Sequence, residues 1–491
     1  MNAIYDVAVI GCGPVGATLA NLLERQGRRV VLVDQFAEAY PLPRATHIDG
    51  EALRILQTAG AADALSPHLG IYRRMRFEDA DGAMLIDWPR PVEPGIHGWR
   101  DSNRFHQPDL EAALRARAAT VAGIDLRLGW TVTGIAQDDD GVTLTTSAPD
   151  GALAPIRARY AVGCDGARSR VRQAIGAETR TLAPSERWLV ADLILRPDAP
   201  DLPEGTVQYC DPARPFTYIE AVGRRRRWEV MLLPGDDPAD FARPENVHAL
   251  LGRWLAPDDA ELERAVVYTF NSVIASRWRS GRLLIAGDAA HQTPPFLGQG
   301  LCAGLRDAAN LSWKLAWVIE GRATPALLDT YQAELAPHVT HYIAEANRIG
   351  AIIQERDPDR ARVRDATLLA QPQVLVPIRP RLGGDAATAD PLAGTLAPQP
   401  RLGDGTLLDD AAPLRFVLLA RPDIVDTVDP ATRVIWSRAD VVIVTDAAHD
   451  YLATIDAAAV LIRPDHYIFG TARTAEALDA LTRTIPLAGA G

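Results

Sequence analysis

Three stretches of the sequence place glycine and aspartate where a strand turns into a helix, a combination suited to binding phosphates and polyols. The first is Gly11-x-Gly13-x-x-Gly16, directly after an apolar strand. In this pattern the first glycine permits a tight turn, the second lets a pyrophosphate approach the backbone, and the third lets helix and strand pack closely. Asp34 ends the next strand, 18 residues after Gly16, where its carboxylate can hold a ribose diol. This unit therefore predicts nucleotide binding.

The second and third stretches lie later in the chain. Gly163-Cys164-Asp165-Gly166 again joins a strand to a helix, and taken alone it is equally well explained as an Asp-Gly turn followed by a capped helix. In residues 281–314 an apolar strand ends at Gly287-Asp288, and a loop rich in proline and glycine leads into a helix. Such a loop exposes the free N–H groups of the helix, which favour anionic groups, and Asp288 can accept hydrogen bonds from polyol hydroxyls. Together the three stretches predict a large bound cofactor.

Composition places the chain among globular proteins with two or three domains. It has 491 residues, 47% of them hydrophobic, and a formal net charge of −12, which argues against nucleic acid as a partner. The basic run 224–227 lies between strand-like segments and is interpreted as a solvated turn. No apolar run approaches the roughly 20 residues that span a bilayer, and no signal peptide is recognised. The four cysteines are scattered, so the sequence predicts a cytoplasmic protein with neither a membrane contact nor a metal site.

The pattern of strands and helices predicts an α/β protein, α+β overall, in which a second sheet interrupts a Rossmann-like domain. Residues 1–183 are expected to form the first part of the nucleotide domain, and residues 184–280 a mainly antiparallel sheet that covers the substrate. The nucleotide domain is expected to resume at 281–370. The stretch 371–405, rich in Pro, Gly and Ala, is predicted to be a linker, and 406–491 a small α/β domain.

Several longer sequence motifs resemble those of one enzyme family. They are PRATHIDGEALRILQTAG, CDPARPF, GDAAH, GQG, RDAANLSWKLA, LLDTYQ and the late IRPDHYI. With the three glycine-aspartate stretches, they make the chain similar to the single-component FAD monooxygenases of the para-hydroxybenzoate hydroxylase type, and especially to the 3-(3-hydroxyphenyl)propionate hydroxylase branch. The resemblance implies FAD as the cofactor and NADH or NADPH as co-substrate. It also implies that residues 406–491 form the thioredoxin-like domain appended to phenolic hydroxylases.

The resemblance assigns cofactor contacts residue by residue. Arg44 matches an arginine near the FAD phosphates that helps to manage NAD(P)H, and Gln107 matches a contact to the ribityl chain or the phosphates. Asp165 matches an aspartate linked to FAD and the pyridine nucleotide, Asp288 matches the acid that binds the ribityl hydroxyls, and the loop 294–300 is expected to meet the isoalloxazine ring. The full set of matching positions is Gly11, Gly13, Gly16, Asp34, Arg44, Gln107, Asp165, Asp288, Gly298, Gly300 and Leu301.

The chemistry implied is hydroxylation of an electron-rich phenolic ring. NADH or NADPH reduces FAD, O2 adds at flavin C4a, and its terminal oxygen is transferred to the ring. The positive end of the helix after Gly300 is expected to stabilise the anionic reduced flavin. A phenol reacts faster when it is partly deprotonated, so His47, His291 and Tyr209 are candidate acceptors of its proton. Pro294 lies in the loop at the reaction site, and His291 is also explained as a structural brace of its turn.

Two alternatives are left open by the sequence. A tailoring hydroxylase or epoxidase of a polyketide-type aromatic shares the flavin motifs and the terminal domain, whereas a non-catalytic flavin-binding protein is an alternative of another class. A halogenase is disfavoured because the chain lacks a Trp-x-Trp-x-Ile-Pro stretch. All four cysteines lie at or before Cys302, so dithiol chemistry is excluded in the terminal domain. Packing, or formation of a homodimer, is its expected role.

Overall fold

The computed structural model describes residues 4–373, 375–384, 390–446 and 449–489. Its strands in chain order are β1 (Tyr5–Ile10), β2 (Val30–Asp34), β3 (His47–Asp49), β4 (Gly70–Ile71), β5 (Arg74–Glu78), β6 (Met84–Pro89), β7 (Ser102–Arg104), β8 (Ile124–Leu128), β9 (Thr131–Gln137), β10 (Val142–Ser147), β11 (Leu153–Gly163), β12 (Thr179–Leu195), β13 (Thr206–Tyr209), β14 (Phe216–Glu220), β15 (Arg225–Met231), β16 (Ala260–Ala275), β17 (Arg279–Ser280), β18 (Leu283–Ile285), β19 (His291–Gln292), β20 (Val417–Ala420), β21 (Val442–Val444), β22 (Ala459–Ile462) and β23 (Ile468–Ala472).

Helices alternate with these strands, and many begin with a proline, whose missing N–H costs nothing in the first helical turn. In chain order they are α1 (Pro14–Arg25), α2 (Gly50–Ala59), α3 (Ala62–Leu65), α4 (Gln107–Thr120), α5 (Arg170–Ala174), α6 (Pro238–Phe241), α7 (Pro244–Leu251), α8 (Gly300–Glu320), α9 (Asp329–Ile353), α10 (Pro358–Ala370), α11 (Leu408–Ala411), α12 (Pro422–Thr427), α13 (Pro430–Ala439), α14 (His449–Thr454) and α15 (Ala475–Arg483).

The first sheet is the predicted nucleotide-binding sheet. Its strand order is β17-β18-β11-β1-β2-β8, and the neighbours from β18 to β8 run parallel. The apolar run Val7–Ile10 is buried, as expected for a parallel strand covered on both faces. Strands β9 and β10 extend β11 as an antiparallel ribbon. Helix α1 packs against α4 and α8, and Val15 of α1 lies against Gly304 of α8, so the N-terminal parts of these two helices meet.

The second sheet has two faces with different neighbours. Its strand order is β19-β16-β12-β15-β14-β13-β5-β6, antiparallel except where β13 pairs with β5. The face that we call the outer face packs Leu189, Val207 and Trp228 against Val247 and Leu251 of α7. The inner face turns toward the nucleotide domain, and it packs against the loop 294–300 and against α9. Its apolar members with those neighbours are Met75, Phe77, Trp88, Trp188, Met231, Phe296, Leu297 and Ile349.

The prediction for this sheet located the strands of 184–280 but missed three others, of which β19 pairs with β16 from within the second part of the nucleotide domain. Strands β5 and β6 come from residues 74–89, inside the region expected to belong to the nucleotide domain. The pairing of β5 with β13 joins segments more than a hundred residues apart, which no local pattern can indicate. The exact limits of the domains stay a prediction.

The terminal domain has the topology expected of a thioredoxin-like fold. Its strands and helices follow the order β20-α12-α13-β21-α14-β22-β23-α15, and the sheet order is β21-β20-β22-β23. Strand β20 is parallel to β21 and antiparallel to β22, which forms a hairpin with β23. The protein is therefore α+β overall, with a Rossmann-like domain, an inserted antiparallel sheet and a thioredoxin-like domain.

The described part of the stretch 371–405 packs tightly on the nucleotide domain. No helix or named strand occurs in its described residues, as the composition indicated. Leu382, Ala393 and Ala397 are nevertheless buried, and the Arg54 guanidinium donates to the Ala397 carbonyl over 2.5 Å. This stretch is thus a strap bound along the surface of the nucleotide domain.

Candidate active site

The turn between β1 and α1 leaves backbone open in front of a helix. Gly11 has a φ of +104°, and a Cβ at this position would lie 2.3 Å from the Cys164 carbonyl oxygen. A Cβ at Gly16 would lie 1.9 Å from the Gly11 oxygen, whereas at Gly13 it would meet nothing within 4 Å. No side chain caps α1, whose N-cap is Gly13. The free N–H groups of α1 therefore face a gap that a pyrophosphate can enter.

Asp34 lies beside this turn at the end of β2. One carboxylate oxygen accepts the Cys12 backbone N–H over 2.6 Å, and the other accepts the Phe36 N–H over 2.8 Å. Each oxygen keeps a lone pair, because a carboxylate oxygen accepts more than one hydrogen bond. The backbone thus holds Asp34 in position while leaving acceptors for a ribose diol.

Gln107 positions the segment that carries Arg44. Its Oε1 accepts the backbone N–H groups of Arg44 at 3.2 Å and of Ala45 at 2.9 Å, while its Nε2 donates to Glu111 over 2.8 Å. The Arg44 guanidinium is exposed and lies 4.9 Å from the centre of the Tyr40 ring. Arg44 is therefore held by its backbone while its charge remains available.

A buried ionic cluster supports the same segment from the inner face of the second sheet. Arg227 pairs with Asp192 over 2.7 Å and donates to the carbonyls of Arg44 at 2.7 Å and Pro43 at 2.6 Å. Arg264 also binds Asp192 and the Pro43 carbonyl. The interpretation of run 224–227 as a solvated turn was wrong for Arg227, because β15 begins at Arg225 and alternation turns this side chain inward.

The two carboxylate oxygens of Asp165, at the end of β11, have different surroundings. Its Oδ2 accepts the backbone N–H groups of Arg170 at 2.7 Å and Val171 at 3.3 Å, so the capped-helix interpretation is confirmed. Its Oδ1 is buried and has no partner among the described residues. A buried carboxylate oxygen without a donor is costly, so this atom marks a place for a donor from outside the chain.

Asp288 opens into the crevice that Arg44 also faces. Its side chain is exposed there, between β18 and the loop 294–300. The carboxyl is open to the crevice, but the protein around the crevice displaces much of its water and so raises its pKa, while the charges of His291 and Arg44 act in the lowering direction. Arg44 and Asp288 are therefore close enough for their charges to interact, as expected for residues along one extended cofactor.

The loop 294–300 brings His47 to the start of α8. Residues Pro295–Leu297 form a 3-10 turn, Gly298 has a φ of +64°, and α8 begins at Gly300 without a side-chain cap. A Cβ at Gly298 would come within 3.0 Å of the His47 Cβ, so only glycine fits against this histidine. The positive end of α8, which includes Leu301, thus lies beside His47.

His47 is buried with one ring nitrogen unpaired. Its Nδ1 lies 3.3 Å from the Gly298 carbonyl oxygen, and its Nε2 has no partner among the described residues. Because a carbonyl only accepts, the hydrogen-bond network assigns the proton to Nδ1 and leaves Nε2 as an acceptor. Burial and the charges of Arg90 and Arg104 lower the pKa of His47 to about 4, so its ring is neutral near pH 7.

A network of charges behind the loop was not predicted from the sequence. Arg306 of α8 donates to Glu51 over 2.7 Å, to Asp49 and to the Gln299 side chain over 3.1 Å. Tyr467, in the terminal domain, donates to Glu51 over 2.6 Å. These side chains come from separate elements, so only the fold shows that they connect the terminal domain to the residue preceding Gly300.

His291 is a brace of the loop rather than a group at the site. Its Nε2 pairs with Asp307 over 2.7 Å, the same oxygen accepts the Gly287 N–H over 2.7 Å, and both side chains of the pair are almost completely buried. The ring packs against Trp278, with 5.4 Å between centroids. Burial by itself lowers the pKa of His291, but the Asp307 carboxylate outweighs it and the pKa lies above its usual range.

This pair predicts a pH-dependent stability. Because the pKa of His291 is raised in the folded protein, the pair contributes fully to the free energy of unfolding below the pKa of the unfolded state, about 6.5. This contribution is lost as pH rises through the pKa of the folded state. Asp307→Asn keeps an acceptor for Gly287 but removes the charge. We expect it to lower the free energy of unfolding by about 1.5–3 kcal/mol near pH 6 and by clearly less near pH 9.

Urea denaturation at both pH values measures the difference. Asp109→Asn is the matched control, since His106 and Asp109 form a more exposed pair at 3.2 Å, and we expect a change within about 0.5 kcal/mol. An equal loss at both pH values for Asp307→Asn would contradict a charged His291.

Tyr209 is not brought to the other candidates. It lies on the outer face of the second sheet, where Trp254 donates to its hydroxyl over 3.2 Å and the Arg253 guanidinium lies 4.7 Å from its ring. Pro294 is buried at the start of the 3-10 turn. Chemical type suggested Tyr209, but strand alternation points it away from the loop, so we do not carry it forward as an acceptor of the phenol proton.

The described residues contain neither a membrane-spanning helix nor a cluster of metal ligands. No helix in that part of the chain combines the length and apolar character needed to traverse a lipid bilayer. Likewise, within 4–373, 375–384, 390–446 and 449–489, no three His, Cys, Asp or Glu side chains are grouped so that they could bind a metal ion.

Comparison with known proteins identifies the family. A family model described as FAD binding domain matches residues 4–346. The chain is 35% identical, over 98% of its length and 94% of the relative's, to a probable NADH-specific resorcinol 4-hydroxylase of Rhodococcus jostii. It is also 35% identical to a 3-(3-hydroxy-phenyl)propionate/3-hydroxycinnamic acid hydroxylase of Mycolicibacterium smegmatis, with 95% of this chain and 90% of that protein covered.

Solved structures agree with this assignment. A ternary complex of aklavinone-11 hydroxylase with FAD and aklavinone superposes with a TM-score of 0.82 at 26% identity, covering 99% of this chain and 100% of that one. The anhydrotetracycline hydroxylase OxyS from Streptomyces rimosus superposes with a TM-score of 0.78 at 27% identity, covering 98% and 99%. These relatives are enzymes, so the alternative of a non-catalytic flavin-binding protein is set aside.

The crevice fits FAD on its own chemistry. Two helices, α1 and α8, point uncapped N-termini into it, which suits a pyrophosphate and an anionic ring. The carboxylates of Asp34, Asp165 and Asp288 supply acceptors for the hydroxyls of the ribose and the ribityl chain, and the buried Thr293 hydroxyl has no partner among the described residues. The chain belongs to the family of FAD-dependent aromatic hydroxylases, single-component monooxygenases that use NADH or NADPH.

Proposed function

We propose that this enzyme hydroxylates a simple phenol substituted at the meta position, and that His47 accepts the hydrogen of the phenol hydroxyl. The names of the two 35%-identical relatives support the substrate, because resorcinol and 3-(3-hydroxyphenyl)propionate are both meta-substituted phenols. The residue assignment rests on one observation, the unpaired Nε2 of a buried, neutral His47 next to the loop 294–300.

The residues of the chain divide the work around the ring. Bound FAD, once reduced by NADH or NADPH, supplies the activated oxygen. His47 Nε2 accepts the hydrogen of the hydroxyl, which raises electron density on the ring carbons ortho and para to it. Leu297 and Trp88 line the cavity that His47 also lines, and these apolar walls keep water from the reaction. The N-terminus of α8 stabilises negative charge across the loop 294–300.

Replacing His47 tests this role. We expect His47→Gln to retain FAD and to lower the turnover of a meta-substituted phenol about 100-fold, within the range for losing an acid-base group. A fluorinated phenol, already ionised at the assay pH, should lose much less, because it no longer needs an acceptor. Rapid-mixing measurement of product formation with both phenols provides the comparison.

A histidine elsewhere supplies the control. His68 is exposed at the end of a short 3-10 turn, so His68→Gln should leave both rates unchanged. Equal losses for the ordinary and the fluorinated phenol in His47→Gln would show that the side chain supports the pocket without accepting the hydrogen.

A polyketide-type substrate is the second candidate, because the two similar solved structures are hydroxylases of aklavinone and anhydrotetracycline. Substrate-dependent NAD(P)H oxidation, compared between simple phenols and multi-ring quinones, separates the two. We expect simple phenols to stimulate oxidation.

A cytoplasmic location and a homodimer stay predictions from the sequence.

A further inference from the structure

Arg104 is a buried cation beside His47. Strands β3 and β7 pair His47 with Arg104 directly, so both side chains lie on the same face of the small sheet. Only 4% of Arg104 is exposed. Its guanidinium lies 3.5 Å from the centre of the Tyr72 ring and donates to the Thr206 hydroxyl, while its Nε has no partner among the described residues.

Arg90 adds a second cation to the same place. It follows the last residue of β6 and lines one cavity together with His47 and Leu297. Its guanidinium stacks 3.4 Å from the Trp88 ring centre, and its hydrogen bond to the Ser102 hydroxyl is long, at 3.4 Å. Its Nε is buried and unpaired within the described part of the chain.

Arg104 is next to this cavity through its pairing with His47 but does not line it, whereas two other arginines that do line it have acidic partners. Arg306 pairs with Asp49 and Glu51, and Arg379 pairs with Asp101. Within the described residues, neither Arg90 nor Arg104 forms an ion pair. Asp101 and Glu220 attract them only from a greater distance.

Two guanidinium groups without an ion-pair partner are energetically expensive where protein replaces most of the surrounding water, because a cation there loses much of its hydration. Aromatic faces at Trp88 and Tyr72 offset part of this cost but do not remove a charge. Such charge is expected where a ligand supplies the opposite sign, and a guanidinium fork matches a carboxylate in shape as well as in charge.

We propose that Arg90 binds a carboxylate on the side chain of the substrate, with the charge of Arg104 adding to the attraction, so that this enzyme selects phenolic acids over uncharged phenols. The inference rests on the proposed function and narrows it. Sequence identity does not distinguish a phenolic acid from an uncharged phenol as the substrate, since the resorcinol and hydroxyphenylpropionate hydroxylases are equally similar to this chain at 35%. The position of the cations favours the acid, because Arg90 shares the cavity with His47 and a neutral diphenol would leave it without an ion-pair partner.

Calorimetric titration of the holoenzyme tests the proposal without relying on turnover. The ligands are 3-(3-hydroxyphenyl)propionate and the uncharged 3-(3-hydroxyphenyl)propan-1-ol, which share the phenol and differ in the carboxylate. We expect Arg90→Gln to weaken binding of the acid about 10- to 100-fold and to leave the alcohol within about 3-fold. Arg90→Lys keeps the charge and should give an intermediate loss.

Two further variants complete the design. Arg104→Lys keeps the cation against Tyr72 and should bind the acid within about 3-fold of the wild type, because Arg104 contributes its charge and not a contact to the ligand. Arg73→Gln is the control, since Arg73 is half exposed, pairs with Glu204 over 3.0 Å and lies next to Tyr72 in sequence. We expect it to bind both ligands as the wild type does.

Equal weakening of acid and alcohol in Arg90→Gln, or no weakening of either, overturns the inference. The proposed function fails in a different way, namely when the wild-type holoenzyme consumes NAD(P)H with neither ligand. An acid-selective loss of binding in an enzyme that hydroxylates neither ligand would support the anion site and reject the proposed reaction.

Discussion

Valine at position 13 is expected to yield a folded protein that does not retain FAD. The backbone of Gly13 has a φ of −74°, which any residue can adopt, and a Cβ there meets nothing within 4 Å. The side chain therefore fits the protein but fills the space that a pyrophosphate must enter to reach α1. We expect FAD affinity to fall at least about 100-fold, or about 2.7 kcal/mol. Fluorescence titration of FAD into the apoprotein measures this change.

Gly16→Ala separates loss of cofactor from loss of fold. A Cβ at this position would lie 1.9 Å from the Gly11 oxygen, so the backbone has to move before any ligand is considered. We expect this variant to lose thermal stability as an apoprotein. Gly13→Val should lose only about 1 kcal/mol there, since valine is a poorer N-cap than glycine. Wild-type FAD affinity in Gly13→Val would place the pyrophosphate elsewhere.

The contrast between these glycines explains why this part of the site was predictable. Gly11, Gly13, Gly16 and Asp34 belong to one strand-helix-strand unit, so their spacing in the chain determines their arrangement in space. The same holds for the turn at Asp165, whose partners are five and six residues away. Local patterns carry local geometry, and the structure reproduces it.

The residues expected to surround the substrate could not be predicted from their spacing along the chain. Arg90 and Arg104 reach His47 through a strand pairing and a cavity, not through spacing along the chain. Tyr209 had a suitable side chain, but the alternation of β13 turned it to the outer face. A sequence indicates which residues can perform a reaction step, whereas the pairing of distant strands decides which of them meet.

The motif IRPDHYI is an intermediate case. Its presence supported the family resemblance, but the sequence did not show its structural role. It spans the turn between β22 and β23, where the terminal domain contacts the nucleotide domain. His466 lies 3.0 Å from the Thr58 hydroxyl, and Tyr467 reaches Glu51. These contacts are consistent with the packing role expected for this domain, and they make the turn a docking element.

The centre of this docking contact is Glu334, and loss of its charge is expected to be strongly destabilising. Glu334 of α9 binds Lys314 of α8 over 2.7 Å and Arg463 of the docking turn over 2.7 Å. Asn310 donates to it over 2.8 Å, and Asp465 also pairs with Arg463 over 2.7 Å. Two cations and two carboxylates thus balance each other in a region closed to water.

Glu334→Gln leaves this region with one uncompensated positive charge. Breaking a buried pair from one side typically costs about 3–5 kcal/mol, because the remaining charge has neither water nor partner. We expect a loss of that size in urea denaturation, together with faster proteolysis of the terminal domain as its docking weakens. Glu345→Gln is the control, since Glu345 pairs with Arg348 at an exposed site, and its change should stay within about 0.5 kcal/mol.

The pH dependence provides a sharper test of the same charge. Burial alone raises the pKa of Glu334, but Arg463 and Lys314 outweigh it and lower the pKa from 4.5 to about 2. A depressed carboxyl pKa means that its stabilisation is complete above the unfolded value and is lost as pH falls through the folded one. The stability difference between wild type and Glu334→Gln should therefore be largest near pH 5–6, below the titration of Lys314, whose pKa burial lowers to about 8, and it should decline from about pH 4.5 toward pH 2. A difference that persists unchanged down to the lower limit would mean that glutamine perturbs packing and that the charge of Glu334 contributes little to docking.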